Sequence, residues 1–488
     1  MGSGLDSTFA PLHEKVNCVT SALEQGSTAI QGLRVTLRTA GYTESAVAAT
    51  VTAAEHVSTP DLATVAAYIE TDREDPIASV TRLFHIGAPE TRERVDKVLP
   101  DLDIDALVAA GVLAIADDGR VRSRLRIREV DGLLIAWDLD QSRDDWVVGV
   151  SPSTMLAATH APRVKARRAL DVGTGAGLHA LLAARHCDHV VATDFNPRAC
   201  WMTELNAQLN EIDNVETRTG SFFEPVDGER FDLVVVNPPY VISPTARFLY
   251  RDGGFEGDGL SRQLLVDLPG LLEDGGFGVL QGNWIHGEDE RWYAPVERGL
   301  EGSDCDALMA RISTAEKLDY AAAWNEPHYL GEPEGYARVV REWVGYWDEH
   351  GIEKVSSAMV VVRRRPGARH WRRAVSIARR PTKIDDDAFA ALFEAQDRLA
   401  ELDDEALLDA RLLAPADLRV ERYDKRGGKH SCVLDLEQAL GVRRPVPPPL
   451  GELVLRLDGT APLRAVEGGG GDLSGLRALI KLGFVTFA

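Results

Sequence analysis

Apolar residues recur three and four apart along the early part of the chain, from about Gln31 to Ala116. "VAATVTAAEHV", "DLATVAAYIE" and "DIDALVAAGVL" each carry one apolar stripe at helical spacing, which predicts short amphipathic helices with Asp61 and Asp101 as N-caps. The period then drops to two. After an Asp-Gly turn, "GRVRSRLRIREVDG" alternates strictly and would put Arg120, Arg122, Arg124, Arg126 and Arg128 on one strand face. Helices followed by such a hairpin predict a winged-helix-like module. Its arginine face reads either as a solvated strand side paired with nearby carboxylates or as a contact for phosphate or an acidic partner.

From Trp146 to about Arg365 β-rich runs alternate with helical ones. "RRALDVGTG" and "HVVATDF" flank the helical "GLHALLAARH", and "RACWMTELNAQLN" leads on to "FDLVVVNPPY". This β-α-β-α-β rhythm predicts an α/β fold with a Rossmann-like, doubly wound, mostly parallel sheet. "GGFGVLQGNWI" and "SSAMVVVRRR" read as further strands. After Pro366 come acidic amphipathic helices in "DDDAFAALFEAQDRLAELDDEALLDARLL", then strands around turns in "RYDKRGGKHSCVLDL" and "LGELVLRLDGT". "RRPVPPPL" reads as a stiff connector and "EGGGGD" as a loose one, before a closing helix and strand in "DLSGLRALIKLGFVTFA". The expected division is an N-terminal helical, winged-helix-like domain over 1–130, a central α/β domain over 131–366 and a small α+β domain over 367–488.

Length supports that division, because 488 residues exceed what one core usually organises. A formal net charge of -22 argues against coating nucleic acid or anionic membrane through the overall field, and leaves only local basic patches for such contacts. The five cysteines are scattered without metal-ligand spacing, so no metal is expected and a reduced, cytoplasmic setting fits. No basic segment with an apolar core opens the chain, and no apolar run approaches the roughly 20 residues that span a bilayer. Neither a signal peptide nor a membrane partner is therefore expected. No pattern bears on oligomeric state.

Two stretches carry chemistry. "LDVGTGAG" ends a strand at Asp171 and turns through Gly173, Thr174, Gly175 and Gly177 into a helix, where glycines let a ligand lie against backbone N–H groups. A nicotinamide-binding loop begins in the same way, but Leu178 stands where its third glycine would fall. Asp194 closes the next strand, where a carboxylate can take both hydroxyls of a ribose. The second stretch is "NPPY". Pro238 and Pro239 stiffen the chain after a strand, and Asn237 adds an acceptor and a donor. A planar NH2 group entering this corner can give one hydrogen to Asn237 and one to the Pro238 carbonyl while the Tyr240 ring covers its face. Drawing out both hydrogens aims the developing nitrogen lone pair at an electrophile, so orientation replaces a strong base.

At these residues the chain resembles the class I S-adenosylmethionine-dependent methyltransferases of the Asn-Pro-Pro-Tyr type, in the group of release-factor glutamine N5-methyltransferases and small-domain methyltransferases. "DVGTGAG", "TDFNP", "GSFF" and "NPPY" stand in the family's order. The resemblance implies an N-methyltransferase with S-adenosyl-L-methionine as cofactor. It implies that Asp171, Gly173, Thr174, Gly175 and Gly177 cradle the methionine end, Asp194 the ribose, and Phe195, Ser221 and Phe222 the adenine. Asn237, Pro238, Pro239 and Tyr240 would hold the substrate nitrogen, with Asn237 also facing the cofactor. One branch of the group methylates a protein glutamine; others act on adenine or guanine in RNA or DNA. Gly253, Gly254, Asp258, Gly259 and Leu260 resemble a segment of the glutamine branch with one extra residue between its halves. "GVSPSTMLAA" resembles the segment before the cofactor loop but lacks that branch's Pro-Arg-Pro-Glu-Thr-like form. A protein or peptide glutamine is thus the first expected substrate and an exocyclic amine of a nucleic-acid base the second. A non-catalytic binding module on a methyltransferase scaffold is the third reading.

Overall fold

The computed structural model describes residues 16–52, 60–245, 251, 254–326, 332–367, 369–379, 388–425, 429–436 and 441–488. The chain forms two compact units, Met1–Thr154 with Arg167–Glu229, and Met155–Ala166 with Arg230–Ala488.

In the first unit, helix Val16–Thr39 buries Ile30, Leu33 and Leu37, one face at helical spacing. Helix Ile104–Ala109 is capped by Asp103, whose carboxylate accepts from Ala106 N at 2.9 Å. The expected cap, Asp101, lies too early, because Leu102 turns into the core before the helix begins. Asp61 falls inside the first turn of helix Pro60–Glu70 rather than ahead of it. Two hairpins follow: β1 (Leu113–Ile115) with β2 (Val121–Ser123), and β3 (Leu125–Val130) with β4 (Leu133–Asp138). The single arginine face expected from alternation is broken at Arg124, whose N–H turns aside to Val112 O at 2.9 Å while Ser123 Oγ bonds Leu125 O at 2.6 Å. Arg120 pairs with Asp118 and Arg128 with Glu44, Arg126 is half-buried, and Arg122 and Arg124 are exposed.

The outer edge of β4 is closed by side chains of a helix. Asn206, buried in helix Pro197–Leu209, accepts from Ala136 N at 2.8 Å and donates to Ala136 O at 2.9 Å. Asn210 repeats the pattern one turn on, at 2.8 Å from Leu134 N and 2.7 Å from Leu134 O. One helical turn rises about 5.4 Å and two strand residues about 6.8 Å, close enough for carboxamides four apart to mimic a neighbouring strand. Beyond the hairpins, β5 (Ala166–Val172), β6 (Cys187–Asp194) and β7 (Val215–Thr219) lie side by side with helices between them, β6 and β7 parallel.

In the second unit, β8 (Phe231–Val236), β9 (Leu272–His286), β10 (Cys305–Glu316), β11 (Lys354–Arg364) and β12 (Arg372–Ser376) run in the order β12-β10-β11-β9-β8. β8 and β9 are parallel, as are β10 and β12, while β11 is antiparallel to both neighbours. This is the expected α/β, Rossmann-like class. Between β10 and β11 stand helices Lys317–Asn325 and Pro333–Glu349, which the pattern reading passed over. Their Tyr320, Trp343 and Trp347 bury against Val241 and Ile242, just past the end of β8.

The last part of this unit holds two three-stranded sheets, from β13 (Arg411–Leu413), β14 (Leu418–Lys425), β15 (Lys429–Leu436), β16 (Arg443–Val446), β17 (Asp458–Pro462) and β18 (Thr486–Phe487). The expected stiff connector is instead β16 followed by helix Pro448–Val454, because a proline in the first turn is pre-set for a helix. Leu450, Leu453 and Val454 bury at helical spacing, so "LGELV" is not a strand. The glycine connector is a packed turn, in which a Cβ on Gly469 would meet Leu463 O at 1.9 Å.

Candidate functional site

The cofactor-type loop opens where β5 ends. Asp171 is buried, and its Oδ2 accepts from Thr174 Oγ1 at 2.8 Å and from Ala180 N at 3.0 Å. Its Oδ1 is buried without a hydrogen-bond partner. Burial pushes this carboxyl up to about 7, against those two hydrogen bonds. Gly173, Gly175 and Gly177 take φ of 71°, 55° and 80°, a left-handed run that other residues resist. A Cβ on Gly177 would strike Thr203 at 2.9 Å, whereas one on Gly175 meets nothing closer than Gly173 O at 4.0 Å. The first glycine is needed for packing; the second borders open space.

Asp194 ends β6 beside that loop. Its Oδ2 accepts from Gly175 N at 3.0 Å and its Oδ1 from Asn196 N at 2.8 Å, and burial raises the carboxyl above the usual range. The Phe195 backbone N–H also bonds this carboxylate, so three donors hold it in place at the end of the strand. Phe195 next to it is 40% exposed, so part of its surface lies open beside the loop. Ser221 and Phe222 follow β7, tied back by Gly220 N to Asp194 O at 3.0 Å and by Thr193 Oγ1 to Phe222 O at 3.3 Å. Phe222 is held at φ 44°, a strained setting for an aromatic residue. The first unit therefore brings Asp171, the glycine loop, Asp194, Phe195, Ser221 and Phe222 to the carboxyl ends of β5, β6 and β7.

In the second unit, Asn237–Tyr240 cap β8. Asn237 Oδ1 is buried and has no hydrogen-bond partner. Tyr240 OH accepts from Gln281 Nε2 at 2.7 Å, and its ring meets Trp324 edge to face at 6.5 Å between centroids. Behind this corner the Tyr320 hydroxyl accepts from Ile242 N at 2.9 Å and from Asn283 Nδ2 at 2.7 Å. Burial pushes that hydroxyl's pKa up, so it stays protonated. The corner is thus fixed by strand, prolines and an aromatic wall from the inserted helices. Of the glycine segment downstream, Gly253 lies outside the described residues. Asp258 is buried in a structural role, accepting from Arg262 at 2.7 Å and from Ile285 N at 2.9 Å, and Gly257 N donates to Tyr346 OH at 2.9 Å.

Residues 149–248 match the methyltransferase small domain family, and residues 39–124 match DUF7059, a domain of unknown function. A protein of Methanocaldococcus jannaschii, provisionally named a protein N5-glutamine methyltransferase, is 31% identical over 135 residues, which are 26% of this chain and 67% of that protein. The chain belongs to the class I S-adenosylmethionine-dependent methyltransferases. The release factor glutamine methyltransferase of Xylella fastidiosa is 38% identical to this methyltransferase-family chain over 133 residues, 25% of the chain and 48% of the relative. The ribosomal protein L11 methyltransferase of Clostridium perfringens is 33% identical over 137 residues, 26% of the chain and 41% of the relative. The chain spans about half the length of the release factor glutamine methyltransferases it matches.

Sequence reasoning missed Gln281, Tyr320 and Asn206. "WVGYWDE" after "YARVV" did carry a helical apolar stripe in Tyr336, Val340, Trp343 and Trp347, which marks the inserted helix if not its target. Gln281 and Asn283 inside "GVLQGNWI", a mostly apolar strand, were sequence signals for polar groups with a task there.

Proposed function

We propose that this protein is an N-methyltransferase that moves a methyl group from S-adenosyl-L-methionine to a planar nitrogen, the side-chain amide of a glutamine in a protein or peptide. The observation that carries the reading is Asn237 Oδ1, a buried acceptor without a partner at the mouth of β8, in an Asn-Pro-Pro-Tyr frame. Leaving such a group unpaired costs about 1–3 kcal/mol, a cost removed when a donor arrives. The described residues also fit the cofactor. Asp171 Oδ1 is a buried acceptor suited to an ammonium, Gly175 borders open space, and Asp194 sets a carboxylate beside the loop, where a ribose hydroxyl would be taken. When bound, S-adenosyl-L-methionine supplies the electrophilic methyl carbon. Asn237 and the Pro238 carbonyl each take one hydrogen of the substrate NH2, and the Tyr240 ring keeps its plane fixed. Residues 1–130 and 367–488 select the substrate.

A nucleic-acid base is the second reading, favoured by the exposed Arg122 and Arg124. Four arginines of the basic run "RRRPGARHWRRAVSIARR" give it no support. Arg363 and Arg365 both pair with Asp306 and Asp397 at 2.6–2.8 Å, Arg364 pairs with Asp274, and Arg379 with Asp435. These guanidiniums are committed inside the unit. Incubating cell lysate with methyl-labelled cofactor tests the choice: label that survives ribonuclease and is lost to protease is expected, and the reverse overturns the glutamine reading. Calorimetry checks the cofactor separately, with saturable binding below millimolar concentration expected.

A further inference from the structure

Gln281 is a group that the proposed chemistry has not used. It lies on β9, one residue past Leu280, which pairs with Val236 of β8. Neighbouring positions on parallel strands point the same way, so Gln281, part-way along β9, stands beside Asn237 at the carboxyl end of β8, where α/β sheets take their ligands. Its side chain is 3% exposed. Nε2 donates to Tyr240 OH at 2.7 Å, which fixes the plane of the carboxamide, and Oε1 is left buried without a partner. A glutamine placed only to hold Tyr240 would have its other end satisfied, since a buried carbonyl oxygen seeks a donor as strongly as a buried N–H seeks an acceptor. Two carboxamide oxygens, Asn237 Oδ1 and Gln281 Oε1, therefore wait in one corner.

We infer that Gln281 is a specificity-determining residue, whose Oε1 accepts a second N–H of the substrate, distinct from the reacting NH2. This rests on the glutamine reading above. In a peptide the group within reach of a glutamine side chain is a main-chain N–H, so the corner recognises the carboxamide together with the backbone that bears it. A free carboxamide, or a side chain on an ester backbone, offers the first donor and not the second. Trp324 meets the Tyr240 ring edge to face and helps hold it in this corner.

The test compares two short substrates, N-acetyl-Gly-Gln-Gly-methylamide and its analogue with an ester oxygen in place of the glutamine N–H. Both are assayed for methyl transfer by the full chain and by Gln281→Met, which keeps the shape and removes the acceptor. The wild type is expected to show a KM about tenfold higher for the ester at similar kcat, as one lost hydrogen bond requires. Gln281→Met is expected to treat the two alike and to bind S-adenosyl-L-methionine as the wild type does. Equal KM values for both substrates with the wild type, or a preference that persists in Gln281→Met, overturns the inference while leaving the glutamine reading intact. Turnover of neither substrate by a wild type that binds the cofactor overturns the glutamine reading, and the inference with it.

Discussion

At the scale of single residues, the proposed reaction rests on two buried oxygens without partners, Asn237 Oδ1 for the nitrogen and Asp171 Oδ1 for the cofactor. Asn237→Ala removes the acceptor that orients the nitrogen; turnover is expected to fall by at least about a hundredfold with cofactor affinity within a few fold, read by labelled-methyl assay and calorimetry. A large loss of cofactor binding would instead assign Asn237 to the cofactor. Asp171 makes a pH prediction. Its carboxyl is raised to about 7 in the free protein, so at pH 6 it is mostly protonated, and a bound ammonium must displace that proton. Cofactor affinity should therefore rise about tenfold from pH 6 to 8, levelling off above 7, since one pH unit below a pKa is worth about 1.4 kcal/mol. Asp171→Asn should flatten the profile. The same shift acts on folding: a carboxyl whose folded pKa lies above its unfolded value stabilises most at low pH, and that contribution is lost as pH rises from about 4 through 7. Asp171, Asp194 and Asn237 were all legible in the sequence, because strand-ending polar residues beside glycines or prolines stand out from apolar runs. Gln281 was not, because only its partner across the corner, Tyr240, reveals that one of its ends is in use.

At the scale of elements, the corner owes its rigidity to an insertion. Tyr320 reaches from helix Lys317–Asn325 to hold both Ile242 N and Asn283 Nδ2. Tyr320→Phe leaves these two buried donors unpaired, so a loss of about 1–3 kcal/mol is expected in denaturant unfolding, with kcat reduced and cofactor affinity unchanged. An unchanged kcat would mean that the insertion serves stability alone. The rhythm of strands and helices from β5 to β9 was readable because each element has its own period. The glycine and proline connectors near the C-terminus misled for the opposite reason: prolines in a first turn and glycines in a packed turn look like spacers until their neighbours are known. The alternation of arginines likewise gave no hint that β2 and β3 would pair with different strands.

For the molecule as a whole, a net charge of -22 and the basic run after Val362 point to different partners, and the ion pairs of that run bear on the choice. The run "RRRP" at the end of β11 has the composition of a phosphate-binding face, yet Arg363 and Arg365 serve an ion network around Asp306, which is fully buried, and Asp397 of helix Ala388–Glu401. Breaking such a network by removing one acid leaves guanidiniums unpaired, so Asp306→Ala should destabilise by about 3–5 kcal/mol, measured by urea unfolding. Replacing Arg122 and Arg124 by Ala tests the exposed remainder: methyl labelling of protein in lysate should be unaffected, whereas a loss restricted to ribonuclease-sensitive label would revive the nucleic-acid reading.

The carboxamides of Asn206 and Asn210 carry a practical consequence for anyone cloning parts of this chain. The turn Asp131-Gly132 is an inviting place to cut, between β3 and β4. A fragment starting there would keep the asparagine-sealed side of β4 and bare the other, offering a sticky ribbon to every neighbouring molecule in the expression host.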